Sequence, residues 1–185
     1  MRRTLPWILG GALVLVAGAV TAVTPDDDAV VSPILKSAAV GTSVESRTLI
    51  ASVDDATFAD EVAVPGAEWS AEGNWLVVTV VASAPRTEVD AAIRLATLVV
   101  GDRVFQTSER PKATLISAPL RVGLDTTGTL AFELPPEVTA GSAELRLTTS
   151  YFTAELDDII AVPLDLGSLP RTPSAELADP ELRTP

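Results

Sequence analysis

The sequence predicts an all-β fold, an antiparallel β-sandwich of about seven to nine strands, preceded by one transmembrane or signal helix at the N-terminus. Short runs rich in β-branched residues are separated by turn-forming residues, and the 185-residue chain contains 11 Gly and 14 Pro. Beyond the N-terminal segment, no stretch of helical length repeats its apolar residues with the period of a helix. The first apolar run is long enough to cross a bilayer.

The N-terminal segment from Leu5 to Val23 carries no charge and as a helix would be about 28 Å long, close to the thickness of a hydrocarbon core. Two arginines precede it and three aspartates follow it, an asymmetry that places the N-terminus in the cytoplasm and the rest of the chain outside. Residues 1–4 are therefore predicted to be a cytoplasmic stub and residues 5–23 a single-pass anchor in the cell membrane.

Two fates of this segment stay open. Its apolar run is longer than that of a typical signal peptide, which favours retention as an anchor. The small residues around Ala22 are suited to a signal peptidase, so the alternative is a secreted protein cleaved near Ala22.

The two segments that flank the predicted domain lack a sustained period. Residues 24–43 are polar and interrupted by Pro25, Pro33 and Gly41, a composition typical of a flexible linker. Residues 168–185 contain four prolines and few apolar residues, which predicts a disordered Pro-rich tail.

The sandwich domain is predicted over residues 44–167. Residues 75–82 are β-branched and apolar on both faces, as in a central strand, and Gly101-Asp102 predicts a tight hairpin turn. Alternation around Leu145 and Leu147 predicts a strand with one buried face. Pro163 predicts that the last strand lies at a sheet edge or contains a bulge. The predicted strands are 47–53, 75–82, 92–100, 103–105, 113–117, 128–134, 143–150 and 158–166.

Composition excludes several classes of function. The chain contains no histidine and no cysteine, which excludes Ser-His-Asp and Cys-His catalysis, metal ligation by His or Cys, and disulfides. With 13 basic and 25 acidic residues, the net charge of −12 disfavours nucleic acid as a partner. We therefore predict that the protein is not an enzyme and assign no catalytic, cofactor or metal-binding residue.

Carboxylates are the remaining candidates for chemistry. Two of them can hydrolyse a glycoside without histidine, and loop carboxylates can bind calcium weakly. Adjacent residues of a strand point to opposite faces, so neighbouring acids do not form a facing pair. An acid-dependent hydrolase and weak calcium binding stay as alternatives. The candidate acids are Asp54, Asp55, Asp60, Glu61, Glu68, Glu72, Asp157 and Asp158.

Aromatic side chains are the best candidates for a binding surface. Trp75 opens the predicted central strand and is expected to fill the core. Trp69 lies in a polar stretch that ends at Gly73, and it either covers one end of the sandwich or is partly exposed to a partner. Tyr151 and Phe152 follow a predicted strand and carry the same two interpretations. Trp69, Tyr151 and Phe152 are thus the candidate partner-binding residues.

Three stretches, 74–80, 98–105 and 128–135, carry an aromatic-led strand, a Gly-Asp hairpin and a strand that ends in Phe-Glu-Leu-Pro. In these features, and at Gly123, the chain resembles the Ig-like domains of the immunoprotective extracellular protein superfamily and its uncharacterised bacterial envelope relatives. The resemblance covers about residues 45 to 166 and implies an exported Ig-like sandwich without catalytic residues. The absence of a lipoprotein cysteine favours the transmembrane anchor.

These features together predict a non-catalytic, envelope-anchored Ig-like module for protein binding or assembly, an accessory part of a membrane complex. Its expected partners are the bilayer, through Leu5 to Val23, and an envelope or membrane protein. A cytoplasmic stub of about four residues cannot carry an output domain, which favours such a partner over direct signalling. The alternative is an exported domain that binds or senses a glycan, an ion or a small molecule.

Overall fold

A computed structural model describes residues 12–14, 34–150 and 158–183. The chain divides into two compact units, residues 1–32 and 33–185. In the first unit, the described residues 12–14 are helical, and the rest of the predicted anchor or signal helix lies outside the described residues. No helix in the described ranges is long and apolar enough to cross a membrane.

The second unit is a β-sandwich, as the sequence predicts, and twelve strands form in its described part. They are β1 Ile34–Ser37, β2 Val44–Glu45, β3 Ile50–Ala63, β4 Ser70–Ser83, β5 Leu95–Val100, β6 Arg103–Gln106, β7 Asp125–Leu134, β8 Ser142–Thr148, β9 Asp158–Asp165, β10 Arg171–Thr172, β11 Ala175–Glu176 and β12 Glu181–Arg183. A single 3₁₀ turn, Leu166–Ser168, follows β9.

The strands form two sheets. The first sheet has the order β1-β9-β8-β5-β6, and the second has the order β10-β3-β4-β7-β12, with β2 and β11 also paired to β3. The long strands pair antiparallel, whereas β1, β10 and β11 run parallel to their neighbours. As predicted, the strand that contains residues 75–82 is central, because β4 lies between β3 and β7. The predicted hairpin is also confirmed, with Gly101 at a φ of 58° between β5 and β6.

The main core lies between the two sheets. Leu76, Leu130 and Phe132 from the second sheet share one buried cluster with Leu145 and Leu147 from the first. The alternation predicted for β8 is therefore confirmed. Burial of these branched and aromatic side chains is the main driving force for folding, at about 1.5–3 kcal/mol for each fully buried side chain.

The segment predicted as a strand at 113–117 is not one. It contributes an isolated bridge between Ile116 and Ile93, and Ser117 has a positive φ of 62°, which breaks an extended strand. The amides of Ser108 and Leu115 donate to carbonyls of β7, so this long connection covers part of the β7 edge instead.

The linker prediction fails over residues 34–43. β1 pairs with β9, the amide of Gly41 donates to the carbonyl of Val53 at 2.7 Å, and β2 pairs with β3. All four side chains of β1 are exposed, so backbone hydrogen bonds rather than apolar burial hold this segment. Amino-acid composition does not predict these backbone hydrogen bonds, because they do not depend on the side chains of the segment.

The prediction that Pro163 places the last strand at a sheet edge is wrong, because this strand, β9, is paired with β1 on one side and with β8 on the other. Its partner strand β1 extends only to the pair Ser37 and Ala161, so Pro163 pairs with β8 alone. The missing amide of this proline therefore faces the side on which no ladder needs it.

The tail prediction is corrected for residues 168–183. After the 3₁₀ turn, the chain forms β10 and β11 along one edge of the second sheet and β12 along its other edge, against β7. We name residues 170–183 the C-terminal clasp. The three prolines of this segment lower helix and central-strand propensity, yet they are compatible with short edge strands, which composition alone does not distinguish from disorder.

A glycine of β7 is needed for the packing of the main core. A Cβ at Gly128 would lie 3.0 Å from Leu115 Cδ1 and 3.1 Å from Leu115 Cβ. Because Leu115 is fully buried, Gly128→Ala is expected to destabilise the fold by about 1–3 kcal/mol in chemical denaturation. A Leu115→Ala background removes the contact with Cδ1 and leaves only the one with Cβ at 3.1 Å, so the same change should cost less. Equal costs in the two backgrounds would contradict this packing.

Candidate functional site

The hairpin between β3 and β4 presents the candidate residue Trp69. Its turn is held by two backbone hydrogen bonds, from the amide of Val64 to the carbonyl of Trp69 at 3.2 Å and from the amide of Ala67 to the carbonyl of Val64 at 3.1 Å. Gly66 supplies the positive φ of 76° that the turn requires. Trp69 is thus displayed by a defined turn at the end of two long strands.

Trp69 packs against a second apolar cluster on the outer face of the second sheet. In β4, Leu76 belongs to the main core, whereas its neighbours Trp75 and Val77 belong to this outer cluster. The prediction that Trp75 is a core residue is confirmed, since it is fully buried. The outer cluster consists of Ala59, Val62, Ala71, Trp75, Val77, Ala113, Ala131 and Leu177.

The structure gives Trp69 an intermediate position between the two predicted alternatives. It is half-buried and lies beside Val64 and Ala175 at the margin of the outer cluster. One part of the indole therefore stabilises the fold, and the other part remains accessible to a partner.

A shallow groove of about 250 Å³ runs along the exposed side of Trp69. We name it the Trp69 groove; its lining residues are Val64, Ala67, Glu68, Trp69, Arg110 and Lys112. Its walls come from the β3–β4 hairpin and from the long connection after β6, and the groove combines an indole with charges of both signs.

Arg110 is held in place within this groove. Its Nη1 lies 2.9 Å from each carboxylate oxygen of Glu133, and its guanidinium carbon lies 5.7 Å from the centre of the Trp75 ring. The cation therefore covers the indole that the outer cluster buries, a contact that is favourable by about 0.5–1 kcal/mol at exposed sites. Arg110 needs little reorganisation to contact a ligand.

Besides Glu68, Lys112 supplies a second charge of the groove that is not part of an ion pair between described residues. Its side chain is exposed and makes no ion pair with a described residue. The whole chain carries a net charge of −12, and at this groove Arg110 and Lys112 place positive charge beside a partly exposed indole. This arrangement favours a partner that carries an acidic group.

Sequence reasoning missed Arg110 and Lys112. They belong to a segment predicted to precede a strand, far from Trp69 in the chain. They reach Trp69 because this segment is hydrogen-bonded along β7, which is a tertiary contact. The signal available was the pair of basic residues around Pro111 in an acidic chain. The other two candidates, Tyr151 and Phe152, lie outside the described residues.

The candidate acids do not converge on one site. Asp54 pairs with Arg183 at 3.2 Å and Asp60 pairs with Arg171 at 2.6 Å, so two of them fasten the C-terminal clasp.

The other candidate acids lie apart from one another. Glu61 lies opposite Glu72 in the β3–β4 register, and Glu68 lines the Trp69 groove. Asp55 is exposed beside Asp54, Asp158 accepts a hydrogen bond from the amide of Arg47, and Asp157 lies outside the described residues. Over residues 34–150 and 158–183, no three acidic side chains are arranged to hold a metal ion.

Two other carboxylates have a lowered pKa. Hydrogen bonds from Arg121 and from the amide of Val122 lower the pKa of Glu88. The carboxylate of Glu137 accepts hydrogen bonds from its own backbone amide and from Arg103, and both lower its pKa. Both shifts favour the charged form, which suits surface ion pairing and not proton donation at neutral pH.

Comparisons with known proteins add a fold likeness only. No protein-family model and no curated protein matches the chain. A solved structure of an uncharacterized beta-sandwich protein from Clostridium difficile 630 has 8% sequence identity and a TM-score of 0.49, over 76% of this chain and 99% of that one. The yjhA protein from Bacillus subtilis has 16% identity and a TM-score of 0.42, over 66% of this chain and 97% of that one. Neither description states an activity or a ligand.

Proposed function

We propose that this chain is a non-catalytic Ig-like binding module of the bacterial cell envelope, which contacts a protein partner through the Trp69 groove. In this proposal the segment from Leu5 to Val23 anchors the module in the membrane, and the module is an accessory part of a membrane complex. The observation that carries it is the partly exposed Trp69 in one groove with Arg110 and with Lys112, which makes no ion pair with a described residue.

The residue types in this groove support a protein interface. Tryptophan and arginine are enriched among the residues that dominate binding energy. Tryptophan buries a large area at low entropic cost, and arginine offers several N–H donors together with a planar face that stacks on aromatic rings. Arg110 is already fixed by Glu133, which lowers the cost of ordering it on binding. Lys112 adds a charge that selects for an acidic group on the partner.

The size of the groove also favours a second candidate function. A volume of about 250 Å³ with one indole wall can hold a small ring, such as one sugar unit stacked on Trp69. Binding of a glycan or another small ligand, without a protein partner, is therefore the second candidate.

Site-specific photo-cross-linking of the full chain in cells of its own bacterium tests the protein-partner proposal. A photoreactive residue at Glu68, inside the groove, is expected to capture one membrane protein, whereas the same residue at Asp102, in the exposed β5–β6 turn, should not capture it. Adding Trp69→Ala should reduce the yield at position 68 by about tenfold or more, since truncation of such a residue often costs 2 kcal/mol or more.

Two results would count against this proposal. Equal capture at positions 68 and 102 would show contact without a specific surface. An unchanged yield after Trp69→Ala would remove the indole from the interface. If no protein is captured and an added saccharide raises the melting temperature of the native chain but not of the Trp69→Ala variant, the second candidate replaces the first.

A further inference from the structure

Strand β12 ends the second sheet and leaves one edge of its backbone open. It pairs with β7 through Glu181, Leu182 and Arg183, and no described strand pairs with its other side. An open edge can accept another strand, and natural proteins usually protect such edges with charge or with short length. β12 is short, but its two charges have opposite sign.

The sequence Glu181-Leu182-Arg183 is complementary to itself in an antiparallel arrangement. With a two-fold axis at Leu182, Glu181 of one copy lies opposite Arg183 of the second, and the two Leu182 residues face each other. Opposite charges in directly facing positions stabilise a strand pair, and a two-fold axis produces this contact twice. The same three residues in parallel register would place like charges together.

Apolar surface adjoins the open edge on the side of Leu182. This leucine is 57% exposed and lines a shallow groove whose other residues are Ala118, Pro119, Arg121, Thr126 and Pro180, three of them apolar. Val122 and Leu124, in the turn that follows this groove, are 43% and 41% exposed. A second copy that pairs along β12 would cover part of this surface in both molecules.

We propose that two copies of this chain associate through β12, antiparallel about a two-fold axis at Leu182, to join their second sheets into one continuous sheet. The ion pair between Arg183 and Asp54 is compatible with this contact, because a guanidinium has five N–H donors and can bond to Asp54 and Glu181 of the second copy together. The contact is independent of the Trp69 groove, so either proposal can fail alone.

The paired strand is short, and we therefore expect a weak dimer that forms at high micromolar protein concentration. Sedimentation equilibrium of the full chain in mild detergent, over a range of concentrations, measures it. Glu181→Arg and Arg183→Glu each place like charges opposite one another and should weaken the dimer about tenfold. The double variant Glu181→Arg/Arg183→Glu restores opposite charges across the axis and should recover most of the association, because it lacks only the surface ion pair with Asp54.

Mixing the two single variants provides the sharpest control. Glu181→Arg in one copy and Arg183→Glu in the other are complementary, so heterodimers should form where neither variant dimerises alone. The two changes shift the net charge in opposite directions, so a loss in both cannot come from overall repulsion. An unchanged association of both single variants, or a failure of the double variant and of the mixture to restore it, would overturn the proposal.

A cross-link provides a second readout. Because the chain has no cysteine, Leu182→Cys should form a covalent dimer under mild oxidation, through the two residues that face each other at the axis. Val104→Cys is the matched control, since Val104 is 61% exposed on the edge strand β6 of the other sheet. Equal amounts of covalent dimer in the two variants would contradict a specific β12 contact.

Discussion

Replacing Trp75 with alanine is expected to lower the free energy of unfolding by about 3–5 kcal/mol. The side chain is fully buried in the outer cluster, and the Arg110 guanidinium covers its ring. Its indole Nε1 has no hydrogen-bond partner in the described part of the chain, so the loss arises from packing and from the cavity left behind. Urea denaturation of the full chain, followed by circular dichroism, measures the change.

Trp69→Ala is the matched control for this prediction. Trp69 belongs to the same face of the sheet but is only half-buried, so its removal should cost about 1–2 kcal/mol. The ratio of the two effects therefore separates an indole that mainly stabilises the fold from one that is also available for binding. Equal losses in the two variants would contradict the assignment of Trp69 as a binding residue, and a loss below about 1 kcal/mol for Trp75→Ala would contradict its burial.

Parts of the central strands could be predicted because their patterns are local, although the strand predicted at 47–53 covers only the first residues of β3. A β-branched run identifies β4, a Gly-Asp turn identifies the β5–β6 hairpin, and alternation around Leu145 identifies β8. Each pattern lies in the residues of the strand itself or of the turn that follows it. The predicted layers and the central place of β4 follow from the same information.

The edge segments could not be predicted, because what holds them is not in their own composition. β1 has four exposed side chains and is fixed by backbone hydrogen bonds to β9. Residues 113–117 have strand-like composition, but Leu115 enters the core from the irregular connection between β6 and β7, which runs along β7. In both cases the partner that decides the conformation is distant in sequence.

Of the three residues that define the candidate site, Trp69, Arg110 and Lys112, only Trp69 was predicted from the sequence. The polar surroundings of Trp69 indicate partial exposure, and the structure places it at the margin of a buried cluster. Arg110 and Lys112 reach it only because the connection after β6 covers the β7 edge. A surface that is assembled from two distant loops has no linear motif.

Leu177→Ala is expected to destabilise the fold by about 2–5 kcal/mol, although Leu177 lies in the segment that composition predicts to be disordered. The side chain is fully buried against the outer cluster, and its amide donates to the carbonyl of Ala63 at 2.8 Å. Two arginines of the C-terminal clasp fasten it on either side of Leu177, through Asp60 and Asp54. These surface ion pairs contribute at most about 1 kcal/mol each, so burial of Leu177 is the main anchor.

Leu182→Ala is the control within the same segment, because this leucine is 57% exposed and its truncation should change stability by less than about 0.5 kcal/mol at low protein concentration. A disordered tail would make both substitutions neutral, whereas an ordered clasp makes only the first one costly. Limited proteolysis tests the same point through a rate. Release of the clasp makes the bond after Arg171 accessible to trypsin, so cleavage there should be faster in Leu177→Ala than in Leu182→Ala. The clasp pairs with part of the edge of β3 and with part of the edge of β7, so its release would expose backbone of both strands. Leu177→Ala should therefore aggregate more readily than the control.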